Sequence, residues 1–294
     1  MYGRMKPFLR SLLVDLLSRS LKVLNTCTLA TLFMEVGTDF NIQTVTYPRT
    51  LDLHFGNVLY HSPALESLFK SREKTKELLG EPTLLEPRLY SEESPPENSQ
   101  RVPQYLVYRL SIAPILQLIA DDPSQSHIKL CDFGESSFHD PASTGAHRKL
   151  NCPRVYAAPE VIFDELVSPA SDVWAMGNLL HYILSGGQEM GSSVISGPPN
   201  PTDEEVLKNI VSALGKLPDP WWQRWEERRK YFDEEARPAE GVRAVSRLVR
   251  IPKAYIKEEE SEAFEKVLRG MFDYNPRTRL TSREAANGLK WLAS

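Results

Sequence analysis

Two short motifs on either side of a long insert constrain this chain more than any other feature. Leu51-Asp52-Leu53-His54-Phe55-Gly56-Asn57 sets an aspartate five positions ahead of an asparagine. Ile128-Lys129-Leu130-Cys131-Asp132-Phe133-Gly134 reads as a strand running into an aspartate and a glycine-containing turn. Carboxylate and amide oxygens are hard donors, suited to a cation such as magnesium. Residues 62–126 intervene, so a fold that joins the two motifs must close a long detour.

Composition narrows the class. A chain of 294 residues makes one large domain or two ordinary ones. Its 41% hydrophobic and 25% charged residues are those of a globular protein. A net charge of -4 argues against a nucleic-acid binder or a membrane-surface binder. Cys27, Cys131 and Cys152 show neither metal-ligand spacing nor a disulfide framework, which fits a reducing compartment, so an intracellular, cytoplasmic or nuclear location is expected. No stretch of 18 apolar residues predicts a membrane span. The apolar run after Met1-Tyr2-Gly3-Arg4-Met5-Lys6 is broken by Arg10, Asp15 and Arg19, unlike a signal peptide.

Leu9, Leu12, Leu13, Leu16, Leu17, Leu21 and Leu24 recur at helical spacing and predict a helix over 7–24 with one apolar face. Residues 25–49 carry no clear period. Val58-Leu59-Tyr60 is a short strand signal. Pro63 to Leu79 reads as a charged helix, and the proline-rich stretch from Glu81 to Pro103 is expected to be irregular. Ser168-Pro169 opens a helix whose core, Asp172 to Leu180, is apolar nearly all round and therefore buried. Further helices are expected over 202–215, 220–236, 259–272 and 281–292. Trp221, Trp222 and Trp225 are read as a packing anchor. The acids Glu226, Glu227, Asp233, Glu234 and Glu235 are read as a solvated helix face.

From Leu51 to its C-terminus the chain resembles the C-terminal lobe of a eukaryotic protein kinase. Five features occur in that family's order: the D-x-x-x-x-N loop, D-F-G, Ala157-Ala158-Pro159-Glu160 as A-P-E, Asp172-Val173-Trp174, and the late arginine of Asn275-Pro276-Arg277-Thr278-Arg279. The position of the insert, the wording Asp132-Phe133-Gly134-Glu135-Ser136 and the run Leu217 to Glu226 look like fungal SR-protein-kinase-like proteins. The resemblance implies an α+β, mostly α, kinase-like C-lobe: a helical bundle with short β-hairpin catalytic and metal-binding loops. It implies a lead-in over 1–50 and a kinase-like region over 51–294, with 62–126 a partly irregular insert.

The roles follow the motifs. Asp52 would orient the substrate hydroxyl and accept its proton, while Asn57 and Asp132 would hold magnesium bridging the phosphates of ATP. Phe133 and Gly134 complete the D-F-G turn. Glu160 and Arg279 would form a buried ion pair, and Asp172 would hold the catalytic loop from below. His54 stands where serine/threonine kinases place a lysine, and would contact the γ-phosphate. The implied substrate is a protein hydroxyl, with serine/arginine-rich chains as the guess from resemblance.

The chain also departs from the family. Thr50 and Leu51 occupy the histidine and arginine positions before the catalytic aspartate. No two glycines are separated by a single intervening residue, so there is no G-x-G-x-x-G loop, and no V-A-I-K-like lysine occurs. A complete N-terminal lobe is therefore not expected, and transfer by this chain alone is expected to be weak or absent. Three alternatives to an active kinase stand: a pseudokinase that binds a partner at the surface where that lobe would dock, an incomplete gene product, and a small-molecule phosphotransferase. The last arises because D-L-H-x-G-N also occurs in aminoglycoside and choline phosphotransferases.

Overall fold

The computed structural model describes residues 49–50, 53–61, 63–86, 103–108, 115, 127–138, 146–147, 149, 152–184, 201–240 and 258–289. The helix expected over 7–24, most of the lead-in and Asp52 lie outside them. The chain divides into two compact units, Met1–Tyr60 with His127–Ser294, and His61–Ser126.

The chain enters through β1 (Arg49–Thr50), makes a 3-10 turn at Phe55–Asn57, and leaves along β2 (Val58–His61). The second unit holds α1 (Pro63–Phe69), α2 (Arg72–Leu79), β3 (Leu84–Leu85) and β4 (Leu106–Val107). The single helix expected over Pro63 to Leu79 is thus two. Ser71 adopts an extended backbone and its hydroxyl accepts from the Lys74 amide, so it caps α2 rather than continuing α1. β3 and β4 pair antiparallel, Leu84 opposite Val107, which adds order at the start of the stretch expected to be irregular. Leu68 is the one buried residue among those described in this unit.

The first unit resumes with β5 (His127–Leu130), β6 (Ser137–Phe138) and β7 (Ala146–His147). After a 3-10 turn at Arg154–Tyr156 come α3 (Pro159–Asp164), β8 (Leu166–Val167) and α4 (Pro169–Leu184). The chain ends in α5 (Asp203–Leu214), α6 (Asp219–Arg224), α7 (Glu258–Met271) and α8 (Ser282–Gly288). Among the described residues the strands form four two-stranded sheets: β1–β6, β2–β5, β3–β4 and β7–β8. The result is a mostly helical α+β fold, as the sequence led us to expect.

α4 is the centre. Val173, Trp174, Ala175, Met176, Leu179 and Leu180 are all buried, so the helix has no wet face, as its composition requires. Val161 of α3, Val206 and Ile210 of α5, Phe264, Leu268 and Met271 of α7, and Ala285 of α8 complete this core. Each valine, leucine, isoleucine, phenylalanine or methionine among them contributes about 1.5–3 kcal/mol through burial. The start of α4 is fixed locally: the Ala170 amide donates to the Ser168 hydroxyl, and the Ser168 amide to that of Ser171. Capping boxes open α5 (Thr202 with Glu205) and α8 (Thr281 with Glu284).

A second cluster gathers Leu207 and Val211 of α5 with Leu217, Trp222, Trp225 and Phe232. Trp222 is fully buried, Trp225 nearly so, and Trp221 only partly. The helix expected over 220–236 breaks here. α6 stops at Arg224, Trp225 is extended, and a short 3-10 turn spans Glu226–Lys230. The buried Arg228 guanidinium donates to the Trp225 carbonyl at 3.1 Å, taking an acceptor that a continuing helix would use. The same guanidinium lies 5.6 Å from the Trp222 ring centroid.

α4 meets the end of α7 without a side chain at Gly177. A Cβ there would lie 2.9 and 3.0 Å from the Phe272 ring and 3.4 Å from the Met271 Cβ. Alanine raises helix propensity by about 1 kcal/mol, but overpacking costs about 1–3 kcal/mol. Gly177→Ala should therefore lower the melting temperature by a few degrees. An unchanged or raised melting temperature would refute close packing of these helices.

Candidate active site

Pairing of the strands brings the two sequence motifs together. β1 and β2 flank the first motif, and β5 and β6 flank the second. β1 pairs with β6, Thr50 opposite Ser137, while β2 pairs with β5. Between these ladders the Cys131 amide donates to the Asn57 carbonyl at 3.0 Å. Asp132 is the next residue, so the backbones of Asn57 and Asp132 are neighbours despite the insert. Asn57 is buried and Asp132 exposed.

The turn that carries Asn57 is closed twice. The Asn57 amide donates to the His54 carbonyl at 3.0 Å, and the Gly56 amide to His54 Nδ1 at 3.1 Å. Leu53 is buried in the α4 core and anchors the turn from its other side. The second motif is closed by its own aspartate. Asp132 has φ 57, a left-handed backbone that a residue with a Cβ seldom adopts. Its Oδ1 accepts from the Gly134 amide at 3.3 Å, and a Cβ on residue 134 would sit 3.3 Å from that oxygen. Phe133 packs against the core. The carboxylate is thus held at the surface by a strained backbone and a glycine that leaves it room.

Asn57 and Asp132 offer one amide and one carboxylate oxygen donor, the hard-ligand chemistry that suits magnesium. Among the described residues no group of three or more His, Cys, Asp or Glu side chains could hold a metal. A two-ligand site of this kind fits an ion that takes its other ligands from phosphates and water.

Beneath the loops, Asp172 is buried in the first turn of α4. It lines a cavity of about 10 Å³ together with Leu53 and Tyr156, which sets it beside the first motif. The Glu160–Arg279 pair is fully enclosed. Arg279 Nη1 and Nη2 donate to the two Glu160 oxygens at 2.6 and 2.9 Å. The guanidinium also donates to the Ala170 and Asp273 carbonyls and lies 5.0 Å from the Trp174 ring centroid.

Sequence reading missed several of these contacts. Ser171 donates to Glu160 at 3.4 Å, and Arg154, just ahead of the A-P-E segment, pairs with Asp203 of α5 at 2.9 Å. The Gly56–His54 bond was also unseen, although a glycine two positions after a histidine was the available signal. The acids expected on a helix face instead form compact pairs. Asp233 and Glu235 bind Arg237, Glu234 binds Arg228 and Arg229, and Glu227 binds Lys230. The Arg237 amide holds the Asp233 carboxyl below its ordinary pKa, and the Trp222 indole N–H does the same for Glu234. Among the described residues no helix is long and apolar enough to cross a membrane.

Comparison with known proteins gives a consistent picture. The family model for the protein kinase domain matches residues 118–292. The chain is 30% identical over 174 residues to the serine/threonine-protein kinase AFC3 of Arabidopsis thaliana, covering 55% of this chain and 40% of that one. It is 32% identical over 165 residues to the human dual specificity protein kinase CLK1, covering 54% and 31%. A serine/threonine protein kinase of Aspergillus fumigatus is 24% identical over 161 residues, covering 53% and 38%. The matched region is thus less than half the length of each of these relatives.

The enclosed pair makes a sharp expectation. Glu160→Gln or Arg279→Met alone leaves one buried group without its partner and should cost about 3–5 kcal/mol in chemical denaturation. Glu160→Met with Arg279→Met should cost less than the sum of the single changes. Additive losses would show that the two side chains do not depend on each other.

Proposed function

Because this chain belongs to the protein kinase family, we propose that it carries the catalytic-loop and metal-loop half of a serine/threonine kinase. The reaction is transfer of the γ-phosphate of Mg·ATP to a protein hydroxyl. Asp52 is the proposed base, and Asn57 and Asp132 the proposed magnesium ligands. An ion held there would supply positive charge to offset that of the phosphates. The observation that carries this reading is the Cys131–Asn57 backbone bond, which sets the amide and the carboxylate in adjoining turns.

Two further features support it. The strained Asp132 backbone holds an exposed carboxylate at the turn that adjoins Asn57. The buried Glu160–Arg279 pair joins the A-P-E motif to the late arginine, which favours a protein-kinase type of site over the small-molecule alternative. Serine/arginine-rich proteins are the proposed substrate class, from the sequence resemblance. These 294 residues contain no glycine-rich loop and no V-A-I-K-like lysine. Phosphoryl transfer depends on positioning, so turnover by this chain alone is proposed to be slow while nucleotide binding persists.

Thermal unfolding tests the proposal. Mg·ATP at about 100 times its dissociation constant should stabilise the chain by about 2.7 kcal/mol, a shift of several degrees. Asp132→Asn should abolish the metal-dependent part of that shift. Asp52→Asn should keep the shift and remove transfer to a protein substrate. No shift at millimolar nucleotide would reject the reading.

A further inference from the structure

Arg154 reaches across the fold to a helix that the site does not otherwise use. It opens the 3-10 turn Arg154–Tyr156, directly ahead of the A-P-E segment. Its Nε lies 2.9 Å from Oδ1 of Asp203, the first residue of α5. That oxygen is closed off from water and, among the described residues, accepts no hydrogen bond, so the guanidinium is the charge that compensates it. As whole side chains the two are 35% and 41% exposed, so the pair adds little to the stability of the fold. Its consequence is for position.

The two ends of the pair differ in what holds them. α5 is fixed from within: the Thr202–Glu205 capping box fastens its first turn, and Val206, Leu207, Ile210 and Val211 bury its inner side. A carboxylate in that first turn also sits at the positive end of the helix dipole. The 3-10 turn has less support of its own. The Tyr156 amide donates to the Pro153 carbonyl at 2.9 Å and the Ala157 amide to the Arg154 carbonyl at 3.1 Å, but no side chain caps its start. Turns of this kind have poorer hydrogen-bond geometry than α-helices. Val155 and Tyr156 anchor it on the buried side, and Arg154, its one charged residue, gives it a second hold.

What the turn carries lies against the first motif. Tyr156 is buried, and its ring is 6.0 Å from that of His54, centroid to centroid and tilted by 44°. Tyr156, Leu53 and Asp172 line one small cavity. Contacts thus run from α5 through Arg154 and Tyr156 to the turn that presents Asn57.

We infer that Arg154 is a positioning residue for the first motif: held by Asp203, it sets the turn whose Tyr156 backs Leu53 and His54. The inference rests on the phosphoryl-transfer reading above for what the motif does, and adds α5 to the parts that place it. Arg154 touches no substrate in this role.

The test is amide NMR of the full chain labelled with nitrogen-15. Arg154→Met should shift the amides of Leu53, His54 and Asn57 as well as those of its own turn. Asp203→Ala should give the same shifts in the first motif, and the double variant should add nothing to either. Asp203 is met by one nitrogen, so Arg154→Lys can restore the pair and should return those amides toward their wild-type positions. These variants should melt within a few degrees of the wild type. Arg154→Met should weaken binding of a magnesium complex of a non-hydrolysable ATP analogue roughly threefold, and Arg154→Lys should recover it.

Shifts confined to the 3-10 turn and α5, additive shifts from the two single changes, or no recovery with lysine would overturn the inference. So would unchanged binding of the analogue by Arg154→Met. A wild-type chain that binds no nucleotide would overturn the phosphoryl-transfer reading instead, while the amide shifts still decide whether Arg154 places the motif.

Discussion

A carboxylate and a guanidinium closed off from water hold the helical part of this protein in one arrangement. Glu160 belongs to the first turn of α3, and Arg279 to the loop between α7 and α8. Removing two charges from water costs several kcal/mol per ion, which the pair offsets only while its partners stay in place. Here they do: both Glu160 oxygens are bound, and Arg279 also serves the Ala170 and Asp273 carbonyls and faces Trp174. The pair therefore links α3, the start of α4 and the segment leading into α8. Loss of either charge leaves the other stranded, so the three segments are fixed together.

That junction sets the geometry of the loops. Asp172 follows Ala170 by two residues and lines the same small cavity as Leu53, so the buried foundation reaches the underside of the first motif. Above it, two pairs of short strands do what a single long sheet would do elsewhere. Each is too short to be stable alone, and each is supported by the α4 core through Leu53, Leu130, Val58 or Phe133. Order runs outward, from enclosed ion pair to buried helix, to paired strands, to the two turns at the surface. The strain at Asp132 is tolerable because the strands on both sides of it are paired.

Much of this was legible in the sequence, for physical reasons. A helix apolar on every face has to be buried, and Asp172 to Leu180 is. The helices expected over 202–215 and 259–272 are present as α5 and α7, and the start of the one expected over 281–292 as α8. Four of the five motifs, from D-F-G to the late arginine, lie within the residues that the protein kinase family model matches, and their order and spacing made the family legible. What escaped the reading depends on contacts distant in sequence or on one side chain's geometry. The break at Trp225 needs the Arg228 guanidinium to claim a carbonyl, and no local period reports that. Ser71 interrupts a charged run that looked continuous, because capping competes with propagation there by a small margin. The acids from Asp233 to Glu235 are exposed, as expected, but a tight turn in place of a helix brings each to an arginine. The Gly56–His54 bond depends on a backbone approach that only the absent Cβ permits.

The account stands or falls on whether Asn57 and Asp132 share one cation. Manganese can replace magnesium at oxygen sites, and its unpaired electrons broaden nearby NMR signals. Titrating Mn²⁺ in the presence of a non-hydrolysable ATP analogue should broaden the amides of Asn57 and Asp132 together, at the same metal concentration, with α6 unaffected. Broadening of one without the other, or of neither while the nucleotide is bound, would contradict it.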